Sequence, residues 1–364
     1  MATFEVTIEK ITVFPHPNAD RLELARVGLY NIVVAKGEWK TGDKVFYIPE
    51  YSILPEPLIK TLGLEGKLSG SKQNRVKPVS LRGQLSQGVV APLSLLSEEI
   101  INNKGTDGNF AEELEVTKWE PVVPTSLAGI TKSAPELIRW IEIENLKKFP
   151  DLFTDGEPVV ITEKIHGTCS CYTFLKPLTD NELIVTSKGL GKSNLGLLDD
   201  EKNLYWKMSK KYDLHNLSYI VASNLGTDNI NKVAIFGETF GAVQDLKYGY
   251  TDGGHGFVVF DIFVNYNNTD GTSVHRWLNP EEVETFAKKA GIPIPPVLYK
   301  GPFSVEKVIE LSIGKEQVSG KEVHIREGVV IRPEVRSNLE MGETKIAKFV
   351  SDAYLTRKDG TEFN

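Results

Sequence analysis

The chain has 364 residues, of which 40% are hydrophobic and 25% charged, a composition typical of a globular protein with room for two domains. Its net charge of −7 argues against a surface coated for non-specific nucleic-acid binding but leaves room for a local basic patch. No apolar run approaches the roughly 20 residues that span a bilayer, so we expect no membrane attachment.

Short apolar or alternating runs fill the first hundred residues. They fall at residues 4–7, 29–35, 44–48 and 88–92, and turn residues such as Lys36-Gly37 and Arg82-Gly83 separate such runs. Several short strands with regular turn signals predict a small closed β-barrel.

A basic stretch lies within this region. Residues 66–97 contain no acidic residue, and they include five basic ones: Lys67, Lys72, Arg75, Lys77 and Arg82. The stretch is a candidate nucleic-acid-binding surface, and on charge alone a solvated hairpin explains it equally well.

A segment rich in Pro and Thr at residues 120–125 indicates a linker. Residues 135–141 then predict the start of a helix, with Ser133 as its N-cap and Pro135 in the first turn.

From residue 159 onward, apolar runs alternate with helical patterns. The runs at residues 233–236, 257–260 and 329–331 predict strands. The helix candidates are residues 201–212, 280–290 and 304–312. This mixture indicates an α+β domain around antiparallel sheets.

The hexapeptide EKIHGT at residues 163–168 is the most informative motif. Lys164 follows an apolar run, and Gly167 would let a phosphate approach closely. A lysine amine is nucleophilic only when neutral, and a site can favour that form by burial, nearby cations or a metal. The pattern Lys-x-x-Gly alone is weak, since most lysines at strand ends are structural.

Four later residues add what a nucleotide-attacking lysine needs. Glu238 could accept a ribose hydroxyl, and Phe260 could stack on a base. Glu327 could hold a divalent cation, and Lys348 could neutralise charge on an α-phosphate. Three of them also have an ordinary structural explanation: Glu238 as a strand-turn acid, Phe260 as a core phenylalanine and Lys348 as a solvated lysine of an edge strand.

These segments, in this order, resemble the covalent nucleotidyltransferase superfamily from about residue 135 onward. The hexapeptide is most similar to that of ATP-dependent RNA ligases, in which Glu-Lys-x-His-Gly is typical. The resemblance implies that Lys164 becomes linked to AMP, that Glu238 contacts the ribose and that Phe260 stacks on adenine. It also implies that Glu327 serves the metal and Lys348 the α-phosphate.

The same resemblance implies further contacts. Glu163 belongs to the cofactor-binding motif, and Lys188 would contact the ribose or the RNA. His166 would help orient substrate phosphates, although a packing histidine remains an alternative. Related ligases often carry two lysines two residues apart in the last motif. Here Lys345 precedes Lys348 by three, so we expect it on the opposite face or in a supporting cofactor-binding role.

The N-terminal region is similar to the OB domain of a small RNA ligase family that seals 3′-OH/5′-phosphate nicks. The segments that carry this similarity are HPNADRLEL at residues 16–24 and SQG at residues 86–88. It implies an OB-fold domain at residues 1–118, a linker at 119–134 and a nucleotidyltransferase domain at 135–364. The fold class is therefore expected to be α+β, with an OB-type barrel followed by an ATP-grasp-like ligase domain. Because Lys348 is close to Asn364, no second OB domain is expected after it.

The implied activity is ATP-dependent RNA ligation through a lysyl-AMP intermediate, with Mg²⁺ or Mn²⁺ and with RNA ends or a nicked duplex as substrate. The alternatives are a GTP-dependent guanylyltransferase, an RNA-binding protein without activity, and a DNA ligase. We expect a cytoplasmic monomer without a secretory signal. Cys169 and Cys171 are expected to be reduced packing thiols in a reducing compartment, because neighbouring positions on a strand seldom allow disulfide geometry. Without partner His or Cys residues at suitable spacing, they also make a poor zinc site.

Overall fold

The computed structural model describes residues 4–120, 130–227, 229–268, 270–336 and 345–357. These residues form two compact units. The N-terminal unit contains residues 4–120, 144–151 and 352–357, and the central unit contains residues 130–143 and 152–351 with the gaps given above. Most of the predicted linker, residues 121–129, lies outside the described residues.

Short antiparallel strands build the N-terminal unit. They are β1 (Thr7–Lys10), β2 (Thr12–Pro15), β3 (Leu22–Val27), β4 (Tyr30–Ala35), β5 (Lys44–Ile48), β6 (Ser52–Ile53), β7 (Val79–Leu81), β8 (Gln84–Ser86), β9 (Val89–Pro92), β10 (Thr117–Lys118) and, later in the chain, β12 (Glu144–Asn145). The helices are α1 (Glu56–Thr61), α2 (Glu98–Lys104) and, near the C-terminus, α8 (Asp352–Leu355). The predicted strands at 29–35, 44–48 and 88–92 are confirmed within a residue.

Strand β5 shows how the unit forms its core. Because side chains alternate along a strand, Val45 and Tyr47 pack in one apolar cluster while Phe46 and Ile48 pack in another. The prediction of a strand at residues 4–7 is wrong except at Thr7. Val6 instead exchanges hydrogen bonds with the loop at residues 109–110.

A two-residue turn, Arg82-Gly83, joins β7 to β8. Both residues have positive φ, 51° and 80°, as a type I′ hairpin requires. The predicted HPN segment supports this turn: His16 Nε2 lies 3.2 Å from the Leu81 carbonyl oxygen, and Asn18 Nδ2 donates to the Arg82 carbonyl oxygen at 3.0 Å. The segment that carried the OB resemblance therefore shapes a hairpin of the basic stretch.

Two antiparallel sheets build the central unit. Their strands are β11 (Thr131–Ser133), β13 (Pro158–Lys164), β14 (Thr168–Leu175), β15 (Glu182–Ser187), β16 (Leu195–Leu197), β17 (Ile230–Gly241), β18 (His255–Asn267), β19 (Ser273–Trp277), β20 (Val297–Pro302), β21 (Gly328–Pro333) and β22 (Ala347–Val350). One sheet has the order β11-β16-β15-β14-β17-β18-β19, and the other contains β22-β21-β13-β20. Lys164 ends β13 and Thr168 begins β14, so three residues connect the two sheets.

The helices of this unit are α3 (Lys188–Lys192), α4 (Leu204–Lys211), α5 (Leu214–Ser223), α6 (Pro280–Ala290) and α7 (Val305–Ser312). The predicted helix at 280–290 is confirmed in full. It has a capping box between Asn279 and Glu282, and Gly291 ends it with φ of 69°. The candidates at 201–212 and 304–312 are confirmed as the slightly shorter α4 and α7.

The helix predicted to start near residue 135 is wrong. Ser133 ends strand β11, and residues 137–143 have no regular secondary structure. The Ile138 amide donates to Thr173 Oγ1 at 3.0 Å, and the Trp140 ring packs edge-on against Phe260 and Trp277. Packing of these apolar side chains on the sheet outweighs the local helical pattern.

Candidate active site

Lys164 and Glu327 form an ion pair in the central unit, with Lys164 Nζ 2.7 Å from Glu327 Oε1. The strand register explains the contact, because Lys164 lies opposite Gly328, the residue after Glu327. The lysine side chain is 23% exposed and the glutamate side chain 2%. The predicted nucleophile can thus be reached from solvent, while the predicted metal ligand lies beneath it.

Gly167 occupies a crowded position in the turn after Lys164. A Cβ atom there would lie 2.1 Å from the Thr239 carbonyl oxygen and 3.2 Å from Glu238 Cγ. Any side chain would push the turn away from β17, so the fold itself requires glycine. The same crowding places Glu238 beside the nucleophile turn, as the sequence motifs predict.

His166 is buried between two side chains that sequence reasoning missed. Its Nε2 lies 2.8 Å from Asp245 Oδ1, and its backbone amide donates to Tyr248 Oη at 2.6 Å. Both partners belong to the loop between β17 and β18. That loop carries no spacing motif in a single sequence, so only the tertiary structure identifies them. The role of His166 toward substrate phosphates stays a prediction.

Glu163 lies on the face of β13 opposite Lys164, because successive strand side chains alternate. Its Oε2 accepts the Gln317 amide hydrogen at 2.8 Å and lies 3.6 Å from Arg326 Nε. Burial raises the pKa of Glu163 to about 7, while the Gln317 amide and the Arg326 guanidinium oppose that rise. Its carboxylate therefore contacts the segment before Glu327, and its predicted cofactor contact stays a prediction.

The two candidate lysines near β22 have different surroundings. In the strand register, Val330 of β21 lies between Lys348 of β22 and Thr162 of β13. Lys164 is two residues after Thr162 on β13. Cross-strand neighbours share a face, so Lys348 and Lys164 lie on the same side of the sheet. Lys345 precedes β22, and its Nζ lies 2.5 Å from Glu157 Oε2 and over the Phe153 ring.

Phe260 lies at a β-bulge between β17 and β18. Phe236 is opposite Asp261 and Gly237 is opposite Val259, so Phe260 is the extra residue. Beside it, Asp261 forms a bidentate pair with Arg336 at 2.5 and 2.8 Å, with Arg332 Nε 3.7 Å away. The buried ion cluster holds this part of β18, and burial lowers the pKa of Arg332 to about 10 despite the opposing charge of Asp261.

Lys188 begins α3, immediately after β15, and lies near Cys169 together with Glu238. Cys169 is opposite Glu238 in the register, and the charges of both Glu238 and Lys188 act on its thiol. The two sulfur atoms of Cys169 and Cys171 are 3.9 Å apart. A contact with Cys171 and burial raise the pKa of the Cys169 thiol well above its ordinary value, so it stays protonated.

The basic stretch lies in the N-terminal unit. Lys67, Lys72 and Arg82 are exposed and Lys77 is partly exposed. Arg75 is different, because it is 5% exposed, its Nε donates to Ser69 Oγ at 3.2 Å and its guanidinium stacks over the Trp119 ring. This burial contradicts an accessible nucleic-acid contact for Arg75, whose guanidinium instead joins two segments of the fold.

Within the part of the chain that the structure describes, a metal at this site would need waters or substrate phosphates to complete its ligands. Among the described residues, no group of three or more His, Cys, Asp or Glu side chains could enclose an ion. Glu327 supplies one buried carboxylate, and Mg²⁺ commonly binds one or two carboxylates together with waters and substrate phosphates. No helix of the described residues is long and apolar enough to span a membrane.

Comparisons with known proteins agree with these two units. An OB-fold domain model matches residues 5–93. No curated protein is significantly similar to the chain in sequence. In contrast, RNA ligase structures from Naegleria gruberi share its fold.

Three of these structures illustrate the match. A mutant with ATP and Mn has 21% identity and a TM-score of 0.75, and the match covers 96% of this chain and 98% of that one. The enzyme with PPi has 23% identity and a TM-score of 0.74, and a mutant with AMP and Mn has 22% and 0.74. Both of these matches cover 97% of this chain and 98% of the other.

These similarities confirm the predicted fold class in its main features: mixed α and β structure, antiparallel sheets and an N-terminal OB fold. The model of the RNA ligase family matches residues 157–350, more than half of the chain. That region contains the Lys164–Glu327 pair, the crowded Gly167 turn and the strand that carries Lys348. The chain therefore belongs to the RNA ligase family.

Proposed function

We propose that this RNA ligase uses ATP to seal breaks between a 3′-hydroxyl and a 5′-phosphate, with Lys164 as the residue that carries AMP. The observation that supports this assignment best is the Lys164–Glu327 ion pair at 2.7 Å, next to the crowded turn at Gly167. It joins a partly exposed amine of the motif to a buried acid.

In the first step, the neutral Nζ of Lys164 attacks the α-phosphorus of ATP. An N–P bond forms, the bond between the α-phosphorus and the bridging oxygen breaks, and pyrophosphate leaves with that oxygen. The amine must first lose a proton, because an ammonium group has no free electron pair. Lys348 lies on the same face of the sheet, where its charge would stabilise the oxygens of the α-phosphate.

The next two steps transfer and release AMP. A 5′-phosphate oxygen of RNA attacks the lysyl-AMP phosphorus, and the N–P bond breaks. A 3′-hydroxyl then attacks the activated 5′-phosphate, forms the phosphodiester bond and releases AMP. Both steps are phosphoryl transfers, for which positioning and charge neutralisation provide most of the rate.

The ligands named for the Naegleria gruberi enzyme fit the first step. Its structures contain ATP with Mn, AMP with Mn, and PPi. ATP is the reactant of lysine adenylylation, and PPi is its leaving group. In the present chain, ATP would likewise be the reactant and PPi the leaving group.

A divalent cation, Mg²⁺ or Mn²⁺, would lie at Glu327. It would neutralise phosphate charge, and the remaining ligands would be waters and phosphate oxygens. Glu238 would contact the ribose, and Phe260 would stack on the adenine ring. Lys188 would contact the ribose or the RNA. These roles are supported by the placement of Glu238 against the Gly167 turn and of Phe260 at a bulge.

RNA would contact the N-terminal unit through the exposed or partly exposed members of the basic stretch: Lys67, Lys72, Lys77 and Arg82. We also propose an OB-fold domain at residues 1–118, a linker at 119–134 and a nucleotidyltransferase domain at 135–364. The enzyme would act as a monomer in the cytoplasm, where the free thiols of Cys169 and Cys171 would stay reduced.

Labelling followed by sealing tests this function. The enzyme is incubated with radiolabelled ATP or GTP, and the labelled protein is then given nicked duplexes with ribose or deoxyribose at the 3′ side. We expect label from ATP alone and sealing of the ribose nick. Lys164→Ala should abolish labelling, while Lys300→Ala, an exposed lysine on β20 paired with Glu284, should not. Label from GTP, or RNA binding without label, would contradict the proposal.

A further inference from the structure

The loop at residues 242–250, between β17 and β18, contacts the turn that follows Lys164. Gln244 Nε2 donates to the Gly167 carbonyl oxygen at 2.7 Å. Asp245 Oδ1 lies 2.8 Å from His166 Nε2, and Tyr248 Oη accepts the His166 amide hydrogen at 2.6 Å. Three side chains of one loop thus hold two consecutive residues of the nucleophile turn.

Tyr248 also contacts the segment that leads to Glu327. Its amide donates to His324 Nε2 at 3.3 Å, and the two rings are 4.5 Å apart in an edge-to-face arrangement. His324 Nδ1 lies 2.8 Å from the Ile325 carbonyl oxygen. Burial lowers the pKa of His324, which favours the neutral ring. The tautomer with hydrogen on Nδ1 satisfies both contacts, because Nε2 can then accept.

Tyr248 is held in an unusual backbone conformation. Its φ is 50°, in the left-handed region that bulky residues rarely adopt, and it is 3% exposed. The Phe240 ring packs edge-on against it at 5.1 Å. Such a conformation persists only where the surroundings impose it, and it is common at functional sites.

We propose that Tyr248 is a positioning residue for nucleotidyl transfer. Its hydroxyl fixes the turn after Lys164, and its amide fixes the segment before Glu327. The nucleophile and the buried acid are thereby held in one arrangement by a residue of the loop between β17 and β18. This inference rests on the proposed adenylylation of Lys164 and adds a determinant that the sequence motifs do not contain.

The test replaces the hydroxyl and leaves the ring. Tyr248→Phe keeps the packing against Phe240 and His324 but removes the acceptor for the His166 amide. Tyr250→Phe is the matched control, a partly buried tyrosine of the same loop that packs against the same Phe240 ring. Two quantities are measured for each protein: hydrogen–deuterium exchange at the His166 amide, and the rate of AMP attachment as a function of ATP concentration.

For Tyr248→Phe we expect exchange at His166 to accelerate about fivefold, as the loss of one hydrogen bond implies. The maximal rate of AMP attachment should fall about tenfold, with the KM for ATP changed by less than about twofold, because positioning affects the reaction more than binding. Tyr250→Phe should match the wild type in both quantities.

Unchanged exchange at His166 would overturn the inference, whatever the enzyme does with ATP. Faster exchange over the whole central unit would also overturn it, since that result indicates general loosening. An equal rise in KM and fall in rate would assign Tyr248 to substrate binding instead. If the wild-type protein takes up no AMP, the proposed function fails, and the exchange measurement still decides whether Tyr248 fixes the turn.

Discussion

Lys164 Nζ and Glu327 Oε1 lie 2.7 Å apart, so the predicted nucleophile is in contact with the predicted metal ligand. This contact has a chemical consequence. A carboxylate favours the charged ammonium form, which cannot attack phosphorus. A divalent cation at Glu327 would compete for the carboxylate and thereby release the amine.

Glu327→Gln should therefore slow the attachment of AMP to Lys164. The amide is a weaker metal ligand with no charge, so we expect AMP attachment to fall at least about 100-fold. Raising the Mn²⁺ concentration should not restore the wild-type rate. The measurement is the labelling rate across a metal titration, and wild-type metal dependence in Glu327→Gln would rule out the assigned role.

Lys345 and Lys348 make a matched pair of variants. Because Lys348 shares a face with Lys164, Lys348→Ala should slow AMP attachment by about 100-fold. Lys345→Ala removes a partly exposed pair with Glu157 and should change the rate only a few-fold. The comparison uses labelling rates at saturating ATP, and the reverse order of effects would exchange the two assignments.

Glu163 predicts a pH dependence of stability. The pKa of the Glu163 carboxyl is about 7 in the folded protein and near 4.5 in the unfolded chain. The stability that this difference contributes is fully present below pH 4.5 and is lost as the pH rises through about 7. Glu163→Gln stays neutral, so it should lack this loss. Between pH 5 and pH 8, the free energy of unfolding of the wild type should fall relative to that of Glu163→Gln by on the order of 3 kcal/mol.

Urea unfolding of both proteins at the two pH values measures that change. Glu306→Gln, an exposed acid on α7, is the control and should follow the wild type. If Glu163→Gln and the wild type lose stability in parallel as pH rises, Glu163 is ionised throughout and its assigned environment is wrong.

The basic stretch should divide into RNA-binding and structural residues. Loss of both exposed side chains in Lys72→Ala/Arg82→Ala should weaken RNA binding and reduce the slope of log affinity against log salt by about 2. Arg75→Ala should instead lower the free energy of unfolding by about 1–3 kcal/mol, through loss of the Ser69 and Trp119 contacts. Binding titrations at several salt concentrations, with urea unfolding, check both. A full salt slope in the double variant would place the RNA elsewhere.

The family motifs were visible in the sequence because each is a local pattern beside a short apolar run. Lys164, Glu238 and Glu327 follow or precede short apolar runs, and such runs mark strands. Their proximity depends on register, which brings Lys164 opposite Gly328 across β13 and β21. Helix α6 could also be predicted from the sequence, since capping residues lie on both sides of its apolar pattern.

What the sequence concealed depends on contacts between distant segments. Asp245 and Tyr248 lie in a loop without periodicity, and their importance comes from His166 about 80 residues earlier. The segment after Ser133 has a helical pattern, yet packing of Trp140 against Phe260 and Trp277 keeps it irregular. Arg75 has the composition of a surface residue and is buried by Trp119.

The most direct test of the central claim is mass spectrometry of the peptide that contains Lys164, after incubation of the protein with ATP and Mg²⁺. The proposed function predicts one AMP attached through nitrogen to Lys164, sensitive to acid and removed by pyrophosphate. A peptide of unmodified mass, or AMP on another residue, would contradict it.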